Sequence, residues 1–313
     1  MPHSKDTPLT QEPRIYSPSE DELAHLVRSG RIVAKYPKQS PERRGTFSLS
    51  EARALISPEL FRGPEEVERV FGFQPVDIPP INFTREELER AKERGECLVL
   101  RSSKDGEGKP LTPARMQEIL EPKWASDTQG VLRTEEGWRS AIGTELVDKE
   151  VVRDGWALIS PDLLPNSTSK NYFDQTELLI TELKAEVYKG SPMPSQYGVA
   201  ITEYESQKAD LLALSADNTK WQEASKRLSE LKITQLLRPS ATEDLYDLFM
   251  KFGITKVCPR SDKYNWTSSL SRGGYLVYVG LFVASGVHGD RWRPLNANGR
   301  VGASFSRLAS PKL

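Results

Sequence analysis

Between Tyr275 and Arg307, apolar residues and glycines recur near every second position, and the residues between them are of every chemical kind. A period of two belongs to a β-strand, whose successive side chains point to opposite faces. The stretch therefore reads as a small antiparallel sheet with a specified inner face and an unconstrained outer one. Residues 275–282 are dense in β-branched and aromatic side chains and predict the best strand in the chain. A turn at Ser285-Gly286 leads to a second strand that includes Trp292. Asn296-Ala297-Asn298-Gly299 signals another turn, and residues 301–307 are expected to close as a final strand.

Upstream of this sheet the period changes. Residues 233–237 alternate briefly and predict a strand. Ser240 with Glu243 forms a capping box for a helix whose buried stripe is Leu245, Leu248, Phe249 and Phe252, with Gly253 as its end. Leu179, Leu183 and Val187, then Tyr197, Ile201, Tyr204 and Leu211, then Trp221, Ala224, Leu228 and Leu231, mark three one-faced helices. Capped starts at Ser48, Pro64, Thr84 and Thr112 predict four more, and residues 97–100 read as a short buried strand. The echo between residues 54–61 and 157–164 is a generic Ser-Pro-acid element, not a duplication. The fold class is α+β.

At 313 residues the chain accommodates more than one domain. Residues 1–45, rich in Pro, Ser and charge, read as a tail with one short helix over 19–28. Residues 46–231 read as a mostly helical body, and residues 232–313 as a ligand-binding module. No apolar run is long enough to span a bilayer and no secretory leader is visible, which points to a soluble cytoplasmic protein. The two cysteines, Cys97 and Cys258, are too few for a disulfide framework or a zinc site and read as quiet apolar residues.

Catalytic signatures are missing from the sequence. There is no P-loop, dinucleotide fingerprint or nucleophile elbow. His3, His25 and His288 lie far apart, and none has a second metal ligand at helical spacing. Acid pairs such as Glu65-Glu66 and Glu86-Glu87 fall in first helical turns, where the helix dipole favours them. No catalytic residue, metal site or cofactor is expected. Residues 251–313 carry ten basic side chains and two acids, a charge of +8 against −1 for the whole chain. That excess either docks the segment on an acidic body or attracts an anionic partner, nucleic acid among them.

Three motifs, Arg238-Pro239-Ser240 with Glu243, Trp266-Thr267-Ser268-Ser269 and Gly302 through Phe305-Ser306-Arg307, together resemble the bacterial C-type-lectin fold. That branch includes formylglycine-generating-enzyme-like domains and the variable proteins of diversity-generating retroelements. The likeness covers residues 232–308. It implies that a frame of Trp266, Val277, Val279, Gly280, Phe282, Gly286, Val287, Trp292, Pro294, Gly302, Phe305 and Arg307 supports a ligand-binding set. That set is Tyr278, Leu281, Val283, Ala284, His288, Asp290, Arg291, Arg293, Leu295, Asn296, Asn298 and Arg300. Among them Tyr278, Arg291 and Arg293 are the expected hot spots.

The function implied is non-catalytic binding of a protein or other macromolecule, with a retroelement as a source of surface variation. Two alternatives remain: nucleic-acid binding through the basic segment, and an enzyme of the formylglycine branch. The second would need clustered cysteines, and Cys258 stands alone in this segment.

Overall fold

The computed structural model describes residues 47–133 and 135–309. The expected tail with its helix over 19–28, His3 and His25 lie outside the described residues. Contacts group Arg44–Leu313 as one compact unit.

The helical expectations for the body are met, each for the local reason the sequence offers. Helix α1 (Leu49–Ile56) is closed by the capping box of Ser48 and Glu51. Strand β1 (Phe61–Arg62) leads into α2 (Pro64–Phe71), with proline in its first turn and left-handed Gly72 at its end. Thr84 and Glu87 cap α3 (Arg85–Glu93), β2 is Cys97–Arg101, and Thr112 caps α4 (Pro113–Trp124). Helices α5 (Glu135–Ile142) and α6 (Thr144–Lys149) occupy the stretch without a clear sequence pattern, followed by β3 (Gly155–Ile159). Residues 54–56 end a helix whereas 157–159 form a strand, so the sequence echo has no structural counterpart. Helix α7 (Tyr172–Glu182), capped by Asn171, continues into a π-helical turn (Leu183–Val187). Helices α8 (Ser195–Ala216) and α9 (Trp221–Glu230) follow.

Three expectations are corrected next. Residues 233–237 form a helix, α10 (Lys232–Leu237), not a strand. Ile233, Thr234 and Leu237 are its buried residues, a three-to-four spacing that a five-residue window cannot separate from alternation. Helix α11 (Ala241–Thr255) runs through Gly253. A Cβ there would lie 2.7 Å from a Val70 methyl, so that glycine permits close helix approach and is not a stop signal. The last strand is also two strands in two sheets. Strand β7 (Val301–Gly302) pairs with β4 (Tyr264–Leu270), whereas β8 (Ser306–Leu308) pairs with β3.

Strands β5 (Leu276–Val283) and β6 (Gly286–Trp292) complete the count, giving sheets ordered β1-β2-β3-β8 and β6-β5-β4-β7. The α+β class is as expected. The second sheet is covered on both faces. Val277, Val279, Phe282 and Val287 join a core with α2, α4, α11 and Trp138. Trp266, Leu276, Tyr278 and Val301 join another with α7, α8, α9 and α10. Both cores cross residue 232, so a cut there would open them.

Helix α11 is buried from Ala241 to Met250, its three acids included. Arg260 grips Asp244 with two bonds of 2.6 and 2.8 Å. Arg153 grips Glu243 at 2.5 and 2.8 Å. Arg101, fully buried on β2, holds Asp247 through two nitrogens and gives a 2.8 Å bond to Ser306 of β8.

Candidate functional site

The motifs that suggested a lectin-like module are internal. Arg238 is completely buried, its guanidinium 4.1 Å from the Tyr172 ring centroid, and donates to the carbonyls of Tyr172 and Trp266. The Ser269 hydroxyl accepts from the Ala241 amide at 2.8 Å and donates to Glu150. Arg307 is buried on Glu96 at 2.5 Å. These residues brace the second sheet from within.

Strand register sorts the candidate set. Tyr264, Gly280 and His288 lie across from one another in one row, and Trp266, Tyr278 and Asp290 in the next, with Trp292 opposite Leu276. Side chains in register share a face. Tyr278, His288 and Asp290 are therefore brought together, and Tyr264 and Trp292 join them. The aromatics pack edge to face, Tyr264 and Trp292 each with its ring centroid 5.1 Å from that of Tyr278. Arg300 enters from the loop before β7, where its carbonyl accepts the Tyr264 amide at 2.8 Å. Arg133 enters from the other side, its amide donating to the Val287 carbonyl at 3.0 Å.

Electrostatics confirm how tight this grouping is. Burial, with the Asp290 carboxylate beside it, pushes the Tyr278 phenol well above its ordinary value. Burial and Asp290 also raise Tyr264, against the pull of Arg133 and Arg300. Burial and then Arg133 lower the His288 imidazole below its ordinary value, against the pull of Asp290. Its Nε2 is buried with no hydrogen-bond partner among the described residues. A neutral imidazole can donate or accept there.

The other candidates lie elsewhere. Arg291 is opposite Val277, on the other face from Asp290. It sits 5.7 Å from the Tyr275 ring and donates to the Ser140 carbonyl at 3.0 Å. Arg293 lies over Trp221 at 4.7 Å and bonds Asn218. Both expected arginine hot spots are thus committed to internal contacts. Leu281 takes a left-handed conformation at the β5 bulge, and Val283 and Ala284 turn into β6, with Gln129 donating to the Ala284 carbonyl. Leu295, Asn296 and Asn298 are exposed in the loop before β7, which is tied to residues 169 and 172 through the Asn298 and Pro294 carbonyls.

Burial does not alternate along β5, where residues 276–280 are all buried. Trp266, Val277, Val279, Phe282 and Val287 are at 0% exposure. Ala284, Asp290, Leu295, Asn296, Asn298 and Arg300 are exposed, and Leu281, Val283, His288, Arg291 and Arg293 are half-buried. Tyr278, at 4% exposure, is a core residue, and its expected role as an outward hot spot is corrected. Its face of the sheet is filled by helices α7 to α10.

Tyr264 and Arg133 were missed. Tyr264 precedes Trp266 by two positions, so extending the alternation back into β4 would have found it. Arg133 lies in the unpatterned stretch before α5 and carries no sequence signal.

Three of the ten basic side chains in residues 251–313 pair with acids. Arg260 pairs with Asp244, Lys256 with Asp127 and Arg307 with Glu96. The docking reading of that charge therefore accounts for these three. No helix among the described residues is long and apolar enough to cross a membrane. No family model matches the chain, and no curated protein or solved structure matches it.

Tyr278→Ala is expected to destabilise the protein by about 3–5 kcal/mol, as for other large buried aromatics. Asp290→Ala should stay within about 0.5 kcal/mol. Urea unfolding of both variants checks this, and a near-neutral Tyr278→Ala would return that residue to the surface.

Proposed function

We propose that this chain is a non-catalytic binding protein that recognises a macromolecular ligand, most simply a protein. The recognition surface is the open β6 edge of the second sheet with the turn before it and the loop before β7, on a C-type-lectin-like frame. The observation that carries the reading is the division of burial along residues 276–302. Residues 276–279 are locked into the two cores, while Ala284, Asp290, Leu295, Asn296, Asn298 and Arg300 are exposed and His288 is half-buried, with unrelated chemistries. Half-buried aromatics beside adaptable polar groups are what protein-binding surfaces favour. Tyr264 and Trp292 supply the first, and His288 and Asn298 the second.

Nucleic-acid binding is the weaker reading. Several phosphate contacts are needed for useful affinity, and the arginines at 260, 291, 293 and 307 are held by internal partners.

A random peptide library panned against the folded protein tests the proposal. Enriched peptides should bind the native chain and fail on Asp290→Ala/Asn296→Ala/Asn298→Ala/Arg300→Ala. Equal enrichment on both would remove this face as the recognition surface.

Diversification by a retroelement is compatible with the same layout, because replacing the exposed side chains leaves both cores intact. In that case the 3′ end of the gene has a near-copy close by, differing mainly at adenines, beside a reverse transcriptase gene. A genome sequence with neither contradicts diversification and leaves the binding reading untouched.

A further inference from the structure

We infer that the outer edge of strand β8 and the cavity beside it form a second binding site, which takes an extended, uncharged peptide segment with apolar side chains. The site belongs to the first sheet and is independent of the surface proposed above.

Strand β8 is an edge of its sheet and pairs only with β3. Two hydrogen bonds fix which of its backbone groups face that partner. The Phe305 carbonyl accepts the Ser160 amide at 3.1 Å, and the Ala309 amide donates to the Trp156 carbonyl at 2.9 Å. Along an antiparallel pair, backbone groups alternate between the partner and the open side. Phe305, Arg307 and Ala309 therefore point to β3, and the amides and carbonyls of Ser306 and Leu308 point away. Ser306 is closed in at 1% exposure, whereas Leu308 is half-buried and lines a cavity of about 470 Å³. Among the described residues, neither backbone group of Leu308 has a partner.

The rest of the cavity suits the same ligand. Pro79, Pro80, Trp156 and Leu236 give it apolar walls, and the Trp156 indole donates to the Pro79 carbonyl at 2.9 Å, which holds that wall in place. Its two charged side chains are both engaged. Arg153 is on Glu243, and Asp154 accepts from the Ser103 amide and hydroxyl at 2.6 Å each. An ion entering would find no free counter-charge. Asn82, on the same lining, has a buried Oδ1 without a hydrogen-bond partner among the described residues. That oxygen calls for an N–H donor. A peptide backbone supplies an N–H for Asn82 and a carbonyl for the Leu308 amide, while its side chains cover the apolar walls. Addition of a peptide to a sheet edge takes affinity from main-chain bonds and specificity from such pockets.

The test is fluorescence anisotropy of the full chain with a labelled, end-capped Ser-Leu-Ser-Leu-Ser peptide. The same peptide N-methylated at both leucines should bind about tenfold more weakly. Versions with glutamate or lysine in place of leucine should bind no better than the methylated one. Leu308→Pro removes an amide that the sheet does not use, and it should bind the leucine peptide about tenfold more weakly than Leu308→Ala. The comparison with the methylated peptide uses the native chain alone and holds whether or not the variants fold. No binding of the leucine peptide, equal binding of its methylated form, tighter binding of a charged version, or equal affinity of two folded Leu308 variants overturns the inference. Saturation by free indole without any response to the peptide also overturns it, in favour of a small-molecule site.

Discussion

Helix α11 carries Glu243, Asp244 and Asp247 into an interior where an isolated carboxylate would be expelled or neutralised. Arg153, Arg260 and Arg101 make that burial tolerable, and each comes from a different part of the chain. Arg101 also reaches Ser306, so one guanidinium joins β2, the central helix and the closing strand. Removing one partner from such a set leaves a buried charge alone, which costs about 3–5 kcal/mol. The geometry of the rest follows from this requirement. With α11 held on β2, its apolar side chains face Val277, Val279 and Phe282 of the second sheet. The sheet's other face is then filled by α7 to α10.

A sheet fixed from both sides has little freedom left except along its open edge and loops. That is where His288, Asp290, Asn298 and Arg300 emerge. The cation–π seats of Arg291 and Arg293 hold β6 and its exit loop against helices α5 and α9. Gly280 shows how closely the sheet is packed, since a Cβ there would lie 2.2 Å from the Lys263 carbonyl oxygen.

Much of this was legible in the sequence, for definite reasons. Capping boxes at Ser48, Thr84 and Ser240 and the alternation over residues 275–292 are local signals, and they located helices and strands correctly. What escaped depends on distant partners. Whether residues 301–307 make one strand or two is decided by β4 and β3 lying on different sheets, about which the segment itself says nothing. Tyr278 looked outward because its neighbours Val277 and Val279 are apolar, yet helices α7 to α10 cover its face too. A strand buried on both sides loses the contrast that alternation relies on. The arginines at 291 and 293 looked free because cation–π seats leave no sequence pattern.

The ionic support of α11 can be measured directly. Burial alone would raise Glu243, but Arg101 and then Arg153 outweigh it and hold its carboxyl at about 2, against an ordinary 4.5. A carboxyl depressed on folding stabilises the protein above its unfolded value and loses that contribution as pH falls towards 2. Asp247 has the opposite sign: burial, even with Arg101 attached, raises it from 3.8 to about 6. Its effect runs its course as pH falls from about 6 through the unfolded value of 3.8, and it opposes the Glu243 loss in both proteins alike. Unfolding free energy followed between pH 5 and 2 should fall in the native protein by about 3 kcal/mol more than in Glu243→Gln. Parallel acid profiles for the two proteins would contradict the claim that this buried pairing organises the fold.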